Sequence, residues 1–123
     1  MATTLGQQRA QFCLEQLKKL DTAIRKDFKP FTAGLPAMIL QNGFGQALAF
    51  LVAKSSDDGL DKHKAAFQIM TAWLKQRGLL TGNSAGEYLE NIALMDQRDY
   101  LHAQRETLAM LEWLKRYANA ELF

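Results

Sequence analysis

Apolar residues return along this chain every three or four positions, between short polar or glycine-bearing breaks. Leu5, Phe12, Leu17, Leu20 and Ile24 fall on one face of a first helix. Thr4 and Gln7 have the spacing of a capping box at its start. That helix is expected to fade near Phe28 or Lys29, because the residue before Pro30 is steered away from helical backbone. Pro36 fits a first helical turn, where a missing N–H costs nothing, and Asn42-Gly43 suits a left-handed C-terminal cap. Phe44, Leu48, Leu51 and Val52 mark one face of the next helix. "SSDDG" then breaks the chain after Lys54. Asp58 is placed to cap a helix that turns Phe67, Met70, Trp73 and Leu74 inward, and Gly78 to end it. Ser84-x-x-Glu87 opens a short helix with Tyr88, Leu89, Ile92 and Met95. Asp96 caps the last one, which holds Leu101, Leu108, Leu111, Leu114 and Leu122.

No stretch alternates with period two, and Val52 is the only valine. The pattern therefore predicts an all-α fold, a compact bundle of about five or six helices, in a single helical domain spanning residues 1–123. No internal repeat is visible.

One segment departs from the general pattern. From Pro30 to Ala53, "PFTAGLPAMILQNGFGQALAFLVA" carries no charge. Its length would cross a bilayer, but Gly34, Pro36, Gln41, Asn42, Gly43, Gly45 and Gln46 interrupt it, and the longest clean run is "ALAFLVA". A kinked pair of helices buried in the core fits better than a membrane span, with a docking surface as the lesser reading.

Composition excludes several classes. Hydrophobic residues make up 48% of the chain and charged ones 23%, ordinary for a soluble globular protein. Cys13 is the only cysteine, so neither an internal disulfide nor a zinc–cysteine cluster can form, and a cytoplasmic location is expected. "MATTLGQQRA" has no secretory pattern. Asp99-x-x-His102 places two metal-ligand types on one helical face, but a carboxylate metal site needs further inward carboxylates. Glu87, Glu90 and Glu106 are expected on polar faces. His63, in the charged stretch "LDKHKAA", reads as solvated, and Cys13 as a small packing residue. "NGFG" is too short for a dinucleotide loop, so Gly43 and Gly45 read as serving chain reversal and close helix approach. No enzyme, metal or cofactor emerges.

Charge is unevenly placed. Residues 1–29 carry a net +3, residues 54–78 a net +2 and residues 79–123 a net −3, which together give the total of +2. Along the predicted first helix Lys18, Arg25 and Lys29 recur at i, i+7 and i+11, with Lys19 and Lys26 one position along. A stripe of this kind is either a solvated face or a track for phosphates. With Lys54, these are the candidate nucleic-acid-binding residues. A basic front and an acidic C-terminal third also suit head-to-tail stacking of copies.

"LPAMILQNGFGQALAFLVAK", residues 35–54, resembles the most recognisable segment of the small helical subunit of Cmr-type (type III-B) CRISPR effector complexes. Leu35, Pro36, Ile39, Asn42, Gly43, Gly45, Ala47, Leu48, Phe50, Leu51 and Lys54 match that pattern. "AAFQIMTAWLKQRGLL" and "RDYLHAQRETLAMLEWLKRYANAEL" agree with it in kind. The resemblance implies a non-catalytic protein that assembles in several copies with the other subunits of an antiviral effector complex. There it would line the channel in which guide RNA pairs with target RNA, touching the RNA backbone and no membrane. A subunit of the analogous Csm-type complex, or a protein-interaction module with no nucleic acid role, are the alternatives.

Overall fold

The computed structural model describes residues 2–56 and 58–123. Asp57, part of the expected break at Ser55–Gly59, lies outside the described residues. Six helices follow one another, without strands among the described residues: α1 Leu5–Lys19, α2 Thr22–Asn42, α3 Phe44–Lys54, α4 Lys62–Gln76, α5 Ala85–Ala93 and α6 Gln97–Ala120. This is the all-α bundle that the periodicity predicts. No described helix is long and apolar enough to cross a membrane.

The capping box at Thr4 is complete. Thr4 Oγ1 accepts from the Gln7 N–H at 3.0 Å, and Gln7 Oε1 accepts from the Thr4 N–H at 2.7 Å. The expected end of this first helix near Phe28 or Lys29 is not found. The chain turns earlier, at Leu20, whose backbone is extended (φ −75°, ψ 144°). Asp21 then caps α2, its carboxylate accepting from the Ile24 N–H at 2.9 Å. Pro30 and Pro36 both lie inside α2 rather than at its limits. Each costs about 3 kcal/mol in a helix interior, whereas each fully buried large apolar side chain contributes about 1.5–3 kcal/mol. Ile24, Phe28, Leu35 and Ile39 are all buried from α2, so burial offsets both prolines and the helix continues.

Gly43 ends α2 and begins α3 with φ 90° and ψ 155°, a positive φ that only glycine adopts without strain. Having no side chain, it leaves the first amides of α3 uncapped. Tyr100 of α6 supplies the acceptor, its hydroxyl oxygen taking the Gly45 N–H at 2.8 Å. A Cβ on Gly45 would lie 3.4 Å from that oxygen, so Gly45 permits the approach. Gly43→Ala should cost about 1–3 kcal/mol through backbone strain alone, since its Cβ would meet nothing closer than 3.7 Å. A thermal melt that is unchanged by this substitution would refute the account.

Asp58 does not cap α4. Asp61 does, its Oδ1 accepting from the Lys64 N–H at 2.8 Å while Oδ2 takes the Ser56 N–H at 2.6 Å. One carboxylate thus closes the loop and starts the helix, and these bonds hold Asp61 below the usual carboxylate range. Asp58 remains exposed, its N–H donating to Ser56 Oγ. Gly78 ends α4 as expected, at φ 72°, with the Leu79 N–H reaching back to the Leu74 carbonyl and the Gly78 N–H to that of Lys75. Ser84 and Asp96 cap α5 and α6 from their own side chains. Glu87 does not complete the box with Ser84, because its carboxylate instead takes the Asn83 N–H at 2.6 Å.

At 24 residues α6 is about 36 Å long and acts as the spine. Helices α1, α2 and α4 pack against it, while α3 joins α2, α4 and α5. Phe28, Phe44, Trp73, Met110 and Leu114 are among the fully buried side chains between them. Leu101 and Leu122, expected inward, are 41% and 52% exposed. The uncharged segment is core on one side only. Of its 24 residues seven are buried and eleven are exposed, among them Leu40 and Phe50.

Candidate nucleic-acid interface

The turn at Leu20–Asp21 divides the basic stripe between two helices. Lys18 and Lys19 end α1, whereas Arg25, Lys26 and Lys29 belong to the first turns of α2. The single-helix spacing of Lys18, Arg25 and Lys29 therefore does not apply. A corner in space replaces it. The Lys18 ammonium lies 5.7 Å from the centre of the Phe123 ring, and Lys29 Nζ is 3.2 Å from Glu121 Oε1. Arg25 and Lys26 line a cleft of about 270 Å³ whose apolar walls include Leu17, Tyr117 and Phe123. Four of the six candidates thus gather around the C-terminal end of α6, with the exposed Lys19 next to Lys18 in sequence.

These cations are not equally free. Arg25 donates from one terminal nitrogen to the Leu17 carbonyl at 3.4 Å and from the other to Thr22 Oγ1 at 3.3 Å, bracing the α1–α2 turn. Its Nε is buried and takes no partner among the described residues. The Lys29–Glu121 pair is exposed on both sides, and such pairs are worth little, so phosphate can replace the carboxylate. Lys18, Lys19 and Lys26 are exposed. The corner can hold phosphates without reading bases.

Lys54 lies elsewhere. It ends α3 with its ammonium 5.9 Å from the centre of the Phe50 ring. His63, expected to be solvated, is half-buried. Its ring is 5.0 Å from that of Phe31 and 6.3 Å from that of Phe50, edge-on to both. Lys62 stands 5.5 Å over Phe31. This aromatic and basic cluster escaped sequence reasoning, although the i, i+4 spacing of Phe50 and Lys54 was available to suggest it.

Glu106, expected on a polar face, is instead only 5% exposed. Its carboxylate is gripped by Arg9 of α1 through two bonds of 2.8 and 2.9 Å and by the Trp73 indole N–H at 3.0 Å. The Arg9 guanidinium holds the Glu106 carboxyl below the usual carboxylate range despite burial, which opposes that shift. Its partners are structural, tying α1, α4 and α6 together. Cys13 is fully buried and its thiol is pushed up to about 12 by burial, as a packing residue should be. No group of three or more His, Cys, Asp or Glu side chains converges on one point among the described residues.

Residues 5–121 match the family described as CRISPR-associated protein (Cas_Cmr5). A protein of Thermus thermophilus named "CRISPR system Cmr subunit Cmr5" is 32% identical over 96 residues, covering 78% of this chain and 75% of its own. A protein of Thermotoga maritima with the same name is 27% identical over 113 residues, covering 92% of this chain and 81% of its own. The crystal structure of a CRISPR-associated Cmr5 family protein from Thermus thermophilus superposes with a TM-score of 0.72 at 28% identity. That alignment covers 99% of this chain and 100% of the other. With its helices, its length and its residue pattern all in agreement, this chain belongs to the Cas_Cmr5 family of CRISPR-associated proteins.

Proposed function

We propose that this chain is a non-catalytic small subunit of a Cmr-type (type III-B) CRISPR effector complex, working in the cytoplasm in antiviral defence. The observation that carries this reading is the family match across residues 5–121, joined to relatives named as Cmr subunits. Several copies stack beside the other subunits and line the channel where guide RNA pairs with target RNA. Lys18, Lys19, Arg25, Lys26, Lys29 and Lys54 supply contacts to the sugar-phosphate backbone, while base pairing reads the sequence. The imbalance between a net +5 over residues 1–78 and −3 over residues 79–123 supports head-to-tail contact between copies. Each chain acts as one folding unit and holds no metal or cofactor.

Co-expression with the other subunits tests this directly. Native mass spectrometry of the assembled complex should find this chain in more than one copy. A complex assembled without it should bind complementary target RNA more weakly for every guide sequence. The purified chain with added divalent metal should leave RNA, DNA and nucleotides intact. A chain that elutes apart from the complex, or cleavage that travels with it through purification and vanishes in His102→Ala, would overturn the reading.

A further inference from the structure

Gln46, Phe50 and Lys54 follow one another at i, i+4 and i+8, so they form a single row along the exposed face of α3, about 6 Å from one to the next. The row changes character along its length. At the Gln46 end a pocket of about 260 Å³ is lined by Met38, Asn42, Gln46, Ala47 and Phe50, with no charged residue among them. At the other end Phe50 meets Lys54 and His63, and His63 leads through Phe31 to Lys62. Phe50 is thus the shared wall between a neutral, amide-bearing pocket and a cationic edge.

We infer that this face is a nucleotide subsite: the neutral pocket takes one unpaired base of single-stranded RNA against the Phe50 ring, and Lys54 and Lys62 take the adjoining phosphates. It rests on the reading that the chain contacts RNA, and specifies a surface separate from the α1–α2 corner.

Several physical features favour a nucleotide over other occupants. The pocket is smaller than the roughly 300–1,000 Å³ typical of larger organic ligands, but a single flat ring fits it. Phe50 is 41% exposed, leaving ring surface for stacking. Asn42 Nδ2 is engaged with the Met38 carbonyl at 3.2 Å, which orients the carboxamide. The Asn42 oxygen and the exposed Gln46 carboxamide supply acceptor and donor for a base edge. Exposed cation–π contacts are weak, so the exposed Lys54 can swing from the Phe50 ring to phosphate as a base arrives, while the half-buried Lys62 adds its charge from over Phe31. Charge complementarity argues against an acidic or neutral helix covering the whole row, since such a helix would leave one end poorly matched. Lys54, Lys62 and His63 also line a second cleft together with Asp21, Asp27 and Asp61. The three carboxylates repel phosphate from that cleft, which leaves the Phe50 side of the two lysines for it.

The test uses the full chain at low salt, titrated with a short single-stranded oligouridylate and with an RNA duplex of equal length, and followed by nuclear magnetic resonance. The single strand should shift the Phe50 and His63 ring signals and the Asn42 and Gln46 side-chain amides, while the duplex leaves them in place. Phe50→Ala should weaken single-strand binding by about 5- to 150-fold at an unchanged salt slope. Lys54→Glu with Lys62→Glu should instead lower the slope by roughly 0.7 for each phosphate no longer neutralised. Phe50→Trp should restore binding. Shifts confined to the Lys18–Lys26 corner, with Phe50→Ala neutral and the variant folded by circular dichroism, would overturn this subsite while sparing the wider RNA reading. Absence of any shift with either RNA, in the free chain and in the assembled complex, would remove both. Protection of this face on assembly without RNA would assign it to a protein partner and overturn the proposal.

Discussion

Glu106→Ala should lower the melting temperature by about 6–20 °C, the largest loss expected from any single polar substitution. The carboxylate accepts three hydrogen bonds in the core, two from Arg9 and one from Trp73. Removing it leaves the Trp73 indole N–H unpaired at a fully buried position. Arg9 keeps a side chain that is 20% exposed, so water recovers part of its loss. The net cost is therefore about 2–4 kcal/mol, below the full penalty for a sealed ion pair. In a protein of this size each kcal/mol moves the midpoint by about 3–5 °C. Trp73→Phe in the Glu106→Ala background removes the stranded N–H and should cost less than the two substitutions added together.

The same group sets a pH dependence whose sign is determined by its surroundings. The bonds from Arg9, and after them the bond from Trp73, hold the folded-state carboxyl of Glu106 below its ordinary value of 4.5. Its contribution is thus complete above pH 4.5 and is lost as pH falls through the lower folded value. Glu106→Gln should be less stable than the parent at neutral pH, and the gap should narrow under acid. Parallel melting curves of the two proteins from about pH 7 down to about pH 3 measure it. A constant gap, or no gap, would show that the ion pair contributes nothing.

Reversing Lys18, Lys19 and Lys26 to glutamate should reduce the logarithmic salt slope of target RNA binding by about 2–3 for every copy engaged. Because several copies would repeat the loss along one strand, the assembled complex should show it far more strongly than the free chain. All three side chains are exposed. Helical content and melting temperature should therefore stay near those of the parent, since the reversals remove only the approach of Lys18 to the Phe123 ring. Arg25 and Lys29 are poorer probes. Arg25 bonds to the Leu17 carbonyl and Thr22, and Lys29 to Glu121, so changing them alters the turn as well as the charge. Weakening should be uniform across target sequences. An unchanged slope after all three reversals would place this corner against solvent or protein.

Helix type was legible because it depends on neighbours within one turn. The Thr4 box, the Gly78 cap, and the Ser84 and Asp96 caps each use residues within four or five positions of one another. The apolar faces of α3 and α4 followed from spacing for the same reason. The family pattern in residues 35–54 was legible as residues, and it carried the functional reading that geometry alone does not supply. Among the candidate cations, exposure was foreseeable from composition and position, but their grouping was not.

What the sequence determined by itself was the all-α class, most helix starts and an uneven charge, because local hydrogen bonds and side-chain periodicity decide these. What tertiary structure decided was where competing local signals yield. Pro30 and Pro36 are local helix breakers, yet α2 runs through both because Ile24, Phe28, Leu35 and Ile39 bury together from its one face. The chain breaks instead at Leu20, where Asp21 offers a cap, and that turn splits the basic stripe into a corner closed by residues almost a hundred positions away. Glu106 reads as polar surface until α1 and α4 bring Arg9 and Trp73 to it. Phe50 likewise becomes part of a cluster only when α2 and α4 place Phe31 and His63 beside it. Each of these outcomes depends on burial and charge pairing between distant segments, whose energies exceed the local preferences they override.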